Sequence, residues 1–210
     1  MSFLIFIKGF AVSFGLIVAI GAQNAFVLKQ GIKKQYVFPI VLTCSLIDSI
    51  LIFLGVSGVG KAVANSNLFL WGVTVFGILF LAAYGLMASK NVFKSESLHV
   101  KESKEIASLK KAMVILLGLT LLNPHVWLDT FLLIGSIGGQ YQTLEQKSFI
   151  LGACSASFIW FFGLGYGSRV LAPLFEKPVT WKILDAFIAF VMFSIAFALI
   201  VSLQDMKSPF

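Results

Sequence analysis

Six apolar runs, each long enough to cross a bilayer, constrain this chain more than any other feature of it. They cover roughly residues 3–27, 37–60, 67–88, 112–137, 148–168 and 183–203 and leave little chain between them. A helix of about 20 residues spans the roughly 30 Å of hydrocarbon in a bilayer. With no water in that layer to satisfy the backbone, the runs must be helices, and the ten-residue alternating segments of a membrane barrel do not occur. The fold class expected is therefore an all-α integral membrane protein. Composition agrees: 59% of the 210 residues are hydrophobic, 12% are charged, and the mean hydropathy is +0.96, well above what a soluble core requires. The first run has no positive n-region, carries Lys8 within it and is longer than a usual leader core, so it reads as a span rather than a cleaved signal. Cys44 and Cys154 fall in mid-run and read as small apolar residues, not as a disulfide or a metal pair.

A net charge of +7 would suggest nucleic acid in a soluble protein, but here the Lys and Arg sit in short connections between runs, which is the pattern of a topology signal. No nucleic-acid partner is expected; the partner is the lipid bilayer. The connections after runs one, three and five hold twelve of the sixteen basic residues, and the other face has Lys8, Lys61, Lys147 and Lys207. That asymmetry places the three richer connections in the cytoplasm and both termini outside. One mixed-charge stretch, residues 89–111, divides a single transmembrane domain of residues 1–210 into a first half (1–88) and a second half (112–210), and reads as a solvated linker. "TCSLIDSILIFLGVSG" from residue 43 aligns with "ACSASFIWFFGLGYGS" from residue 153, matching Cys44 with Cys154 and Gly55 with Gly165. Three spans per half is an odd number, so two such halves enter the membrane in opposite senses. Six transmembrane helices arranged as two three-helix inverted repeats are expected, the plan of many secondary transporters.

Two short stretches disturb the apolar pattern. "LLNPHVWLDT", residues 121–130, carries Asn123, Pro124, His125 and Asp129 inside a span. Pro124 should kink or break the helix and free carbonyls near residues 120 and 121, which a membrane tolerates only where protein or a wet cavity covers them. Asp48 and Asp129 are the acidic residues well inside runs, and inserting each costs about 2.5–3.5 kcal/mol on the translocon scale. One explanation is structural, with the carboxylates protonated or bonded to Ser45, Ser49 and Thr130. The other is an anionic pocket that receives a cation: a proton, a metal ion or a basic substrate. "GAQNAF", residues 21–26, brings Gln23 and Asn24, whose amides either tie helices together or suit the carboxylate and ammonium of an amino acid, while Gly21 could let the helix open. His125 is a candidate proton relay or a histidine bonded to a neighbour. "GSIGG" and "GLGYG" allow close helix approach, the 22 Phe read mainly as lipid-facing filler, and Trp71, Trp127, Trp160 and Trp181 either anchor at interfaces or line a path. No phosphate loop, paired metal-binding histidines, nucleophile elbow or dinucleotide fingerprint is present, so neither an enzyme nor a cofactor is expected.

"GAQNAFVLKQGIKK" from Gly21, Asp48 in the second run, and "LNPHVWLDT" from Leu122 together resemble the lysine/arginine exporter (LysE) family of amino-acid efflux proteins, over essentially the whole chain. Ala22-Gln23 and Asn123-Pro124-His125, followed by Leu128-Asp129-Thr130, look like its basic-amino-acid branch rather than the branch for neutral amino acids, where a Gly-Pro and an Asn-Pro-Lys stand instead. The resemblance implies a secondary transporter in the bacterial inner membrane that exports arginine or lysine; because exchange of one proton for one such cation moves no net charge, protons are the expected coupling ion. It implies a functional aspartate pair at Asp48 and Asp129, and a substrate path past Gln23, Asn24 and Asn123 beside Pro124 and His125. An exporter of neutral amino acids, a channel and a membrane scaffold are the alternatives. A homodimer through the glycine-rich faces is left open, and topology proposals for the family include a cytoplasmic N-terminus, opposite to the charge count.

Overall fold

The structure, a computed structural model, describes residues 2–18, 21–58, 67–93 and 108–205. Among the described residues every regular element is helical. They are α1 (Phe3–Ile17), α2 (Ala22–Lys33), α3 (Val37–Val56), α4 (Asn67–Phe93) and α5 (Leu109–Leu121). Then come α6 (Pro124–Trp127), a π-helical turn (Leu128–Ile134), α7 (Gly135–Gly138), α8 (Thr143–Gly167), a 3-10 segment (Ser168–Glu176) and α9 (Pro178–Asp205). Four stretches are long and apolar enough to cross a membrane: Val37–Val56, Thr74–Val92, Thr143–Leu174 and Val179–Val201. A fifth arises if α1 and α2, bent by 82° from one another, are taken together.

Two of the six runs therefore differ from uninterrupted spans. Run one is two helices. It contains no proline, and the polar cluster at Gln23 and Asn24 marks where the second helix starts rather than an interior position. α2 also continues past the apolar run, so Lys29 and Lys33 lie in a helix and not in a connection. Run four breaks at Leu122–Asn123, where Pro124 opens a new helix. Proline suits a first helical position, because its missing N–H would have no intrahelical partner there. No piece of residues 109–138 reaches spanning length by itself. Runs five and six start earlier than their apolar residues suggest, at Thr143 and Pro178. Most of the 89–111 linker, residues 94–107, lies outside the described residues, as do Lys61 and Lys207.

Glycines set the closest crossings. A Cβ on Gly9 of α1 would overlap the Phe149 carbonyl of α8, and one on Gly152 of α8 would overlap the Phe6 carbonyl of α1. Gly135 and Gly138 sit against Gly55 and Val56, and Gly165 against Val41, so these members of the two glycine motifs pack inside the molecule. α4 lies along α9 in the opposite direction, with Gly85 on Phe193 and Gly77 near Leu199. Phe26, Phe149 and Phe161 are fully buried, while Phe38, Phe53, Phe76, Phe190 and Phe197 face outward, as a lipid surface requires.

The end of α2 meets the end of α8, because Gly31 sits against Gly165 and Ser168. There Lys29 pairs with Asp185 of α9, and Lys33 lies 5.3 Å over the Trp181 ring. The start of α5, with Lys110 and Lys111, approaches the same end through Met113, whose sulfur accepts from Thr43 at 3.7 Å. Basic residues that are far apart in sequence thus converge on one end of the bundle.

Candidate functional site

The two helix breaks each leave carbonyls without intrahelical donors, and a side chain meets one of them in each break. Asn24 Nδ2 donates to the Ile17 carbonyl at the end of α1 (2.7 Å), and its Oδ1 accepts from Trp160 Nε1 of α8 (3.2 Å). In the second break Trp127 Nε1 donates to the Leu121 carbonyl (2.8 Å), one of the carbonyls that Pro124 was expected to free. Asn24, Trp160 and Trp127 therefore hold the broken backbone. The helix resumes after Trp127 as a π turn, a geometry that recurs at functional sites, and this turn carries Asp129 and Thr130.

Between the breaks lies a cavity of about 310 Å³, within the size range of small-molecule sites. Gly21, Gln23 and Asn24 from the start of α2 line it with Asp48 of α3, Asn123 from the second break and Asp129 of the π turn. Apolar side chains such as Ile52, Phe161 and Ile195 complete the wall. Five of the seven residues singled out in the sequence, spread from position 23 to position 129, thus share one space. Pro124 forms the break beside it, and the side chain of His125 lies outside the described residues.

Asp48 is 6% exposed and accepts from Ser157 Oγ of α8 at 3.2 Å. The expected local partners behave otherwise. Ser45, Ser49 and Thr130 donate to the carbonyls of Val41, Ser45 and Val126, one turn back on their own helices, where serine and threonine hydroxyls often bond within a helix. Ser157 is the partner that sequence reasoning missed; it lies 109 residues from Asp48 and nothing near Asp48 signals it. Gln23 is buried too, and its side chain lies against the buried Cys44 thiol. Gly21 is in an extended conformation (φ −107°, ψ −175°), so it caps α2 without needing a glycine's freedom. No group of three His, Cys, Asp or Glu that could hold a metal ion occurs among the described residues.

A cavity with polar side chains on a largely apolar wall thus lies between two broken helices. Residues 14–203 match the family described as LysE type translocator. The arginine exporter protein ArgO of Klebsiella pneumoniae is 39% identical over 94% of this chain and 93% of its own length. ArgO of Salmonella enteritidis is 40% identical over 92% of each. A putative amino-acid transporter, YggA of Aeromonas salmonicida, is 34% identical over 92% of this chain and 94% of its own. No solved structure matches the chain. The chain is thus a multi-pass membrane protein that belongs to the LysE type translocator family.

Proposed function

We propose that this protein exports basic amino acids, arginine and lysine, from the cytoplasm across the bacterial inner membrane in exchange for protons. The observation that carries the reading is Asp48, buried and met by a serine hydroxyl rather than by a cation, on the same cavity as Asp129. A carboxylate so placed in a membrane protein has a use for a cation brought from outside the fold. The names of the ArgO relatives support arginine as that cation.

Energetics give the exchange its form. Moving a cation out against an inside-negative potential costs about 2.3 kcal/mol per charge per 100 mV. One proton in for one arginine out moves no net charge, and a carboxylate able to hold either is the simplest exchanger. In this scheme Asp48 and Asp129 alternate between protonation from outside and pairing with the substrate side chain from inside. Asn123 and the α2 start line the path, with Pro124 and His125 beside it.

The architecture that serves this cycle has six crossings. Residues 3–33 make one through the bend, and residues 109–138 make another through the break. Each half then has one broken crossing followed by two continuous ones, and the halves are inserted in opposite senses. The convergence of basic residues at one end supports a cytoplasmic placement of that end.

The test is efflux of preloaded radiolabelled arginine, lysine, threonine and homoserine from cells lacking their own exporters, with and without this protein. Faster loss of arginine and lysine supports the reading. Efflux confined to threonine and homoserine would move the protein to the neutral branch and leave the aspartates to protons, and dissipation of every gradient without counterflow would make it a channel.

A further inference from the structure

We propose that an anionic phospholipid occupies an outward-facing groove between α1, α2 and α8, with an acyl chain along Gly163 and Gly167 and its headgroup at Arg169. The inference concerns the lipid-facing side of the molecule and stands apart from the export reading.

The groove has a volume of about 430 Å³ and is lined by Phe14 of α1, Leu28 of α2 and the stretch from Ile159 to Leu171. Ile159 and Leu171 are exposed, so it opens outward to lipid. Within it a Cβ on Gly163 or on Gly167 would meet nothing within 4 Å, whereas Gly165 between them packs inside on Val41. An empty trough facing hydrocarbon forfeits the dispersion contacts of its walls, and no water is there to fill it. A methylene chain fits a trough of this volume, whereas a helix of a second copy, about 10–12 Å across, would rest on Ile159 and Leu171 at its two ends. From Ile159 to Leu171 the backbone rises roughly 20 Å at about 1.5–2.0 Å per residue. That suffices for one leaflet of a hydrocarbon layer about 30 Å thick.

Charge selects the headgroup. One end of the groove lies at Trp160, and the other reaches the end of the bundle where basic residues converge, because Ser168 sits against Gly31 of α2. There Arg169 follows Ser168 and Lys34 ends α2; both are exposed, and neither meets a carboxylate among the described residues. The Arg169 guanidinium lies 4.4 Å over the Tyr166 ring, which steadies a planar, forked donor suited to a phosphate. Basic groups beside a groove between membrane helices recruit anionic headgroups. The groove also backs onto the cavity. Trp160 lines the groove and donates to Asn24, which holds the Ile17 carbonyl and lines the cavity. Phe14 meets Trp160 edge-on with ring centres 5.8 Å apart. A lipid seated there packs against the side chains that fix the bend, so its binding stabilises the folded protein.

The experiment is native mass spectrometry of the full-length protein, delipidated in detergent and titrated with phosphatidylglycerol or with phosphatidylcholine of the same acyl chains. The wild type should bind phosphatidylglycerol about tenfold more tightly, the effect of one net negative charge met by two cations. Arg169→Gln should remove most of that preference. Lys147→Gln, which neutralises an exposed cation near the other end of α8, should leave it intact. The Gly163→Leu, Gly167→Leu double variant fills the trough and should weaken both lipids alike. Phosphatidylglycerol should raise the melting temperature of the wild type and of Lys147→Gln more than that of either groove variant. Arg169→Gln, at an exposed position, keeps the test informative if the double variant does not fold. Equal wild-type affinity for the two lipids, or a preference that Arg169→Gln leaves in place at equal folded protein, would overturn the proposal. A wild-type dimer that the double variant turns into a monomer would also overturn it and give the groove to a second copy.

Discussion

Asp48 and Asp185 are both buried acids on helices of a membrane protein, at 6% and 8% exposure, but their surroundings differ in kind. Asp185, near the start of α9, holds Lys29 of α2 in an ion pair whose side chains are 11% and 13% exposed. Asp48, midway along α3, has a serine hydroxyl instead and opens onto a cavity. The first carboxylate is neutralised within the fold and ties α2 to α9. The second meets no cation among the described residues. On the proposed reading, the acid beside the cavity is the transport site and the acid with its own lysine is structural.

Breaking each acid separately sharpens that difference. The largest loss of stability is expected for Asp185→Asn, which leaves Lys29 buried without its carboxylate, at about 3–5 kcal/mol. It should appear as a clear fall in the melting temperature of purified protein, largely recovered in the Lys29→Met, Asp185→Leu double variant. Asp48→Asn should do the reverse, leaving the melting temperature unchanged or raised while arginine export falls roughly a hundredfold, the effect of removing one partner of a desolvated charge pair. An Asp48→Asn protein that melts as early as Asp185→Asn would erase the distinction between the two sites. Ser157→Ala removes a hydrogen bond to the Asp48 carboxylate, a loss of about 1.5 kcal/mol or roughly tenfold in apparent arginine affinity. The smallest effect belongs to Lys33→Ala, whose contact with Trp181 is worth about 0.5–1 kcal/mol; it should shift melting slightly and transport not at all.

How much of this was legible beforehand follows from the range of each interaction. The break after Leu122 could be read because Pro124 acts on its own helix, within four residues. The bend after Ile17 carried a weaker mark, Gly21, which could let the helix open, while the carbonyl exposed at Ile17 is met by Asn24, seven positions on. Asp48 and Asp129 stood out because charge in an apolar run is costly wherever it lands. For Asp48 the nearby hydroxyls turn elsewhere: Ser45 and Ser49 bond within their own helix, and the hydroxyl that reaches Asp48 comes from Ser157. Lys29 read as a loop residue because the apolar run ends before it, and its pairing across 156 residues with Asp185 leaves no trace in either neighbourhood. Interactions inside one helix are written in its sequence, and those between helices depend on how the bundle closes.

The central claim is that Asp48 and Asp129 form one exchange site for a proton and a basic amino acid. The most direct test is arginine accumulation in proteoliposomes driven by an imposed pH gradient, with wild type, Asp48→Asn and Asp129→Asn reconstituted at equal amounts of folded protein. The account predicts proton-driven accumulation by the wild type and its loss in both variants. Accumulation at wild-type rate and proton stoichiometry in both single variants would contradict it.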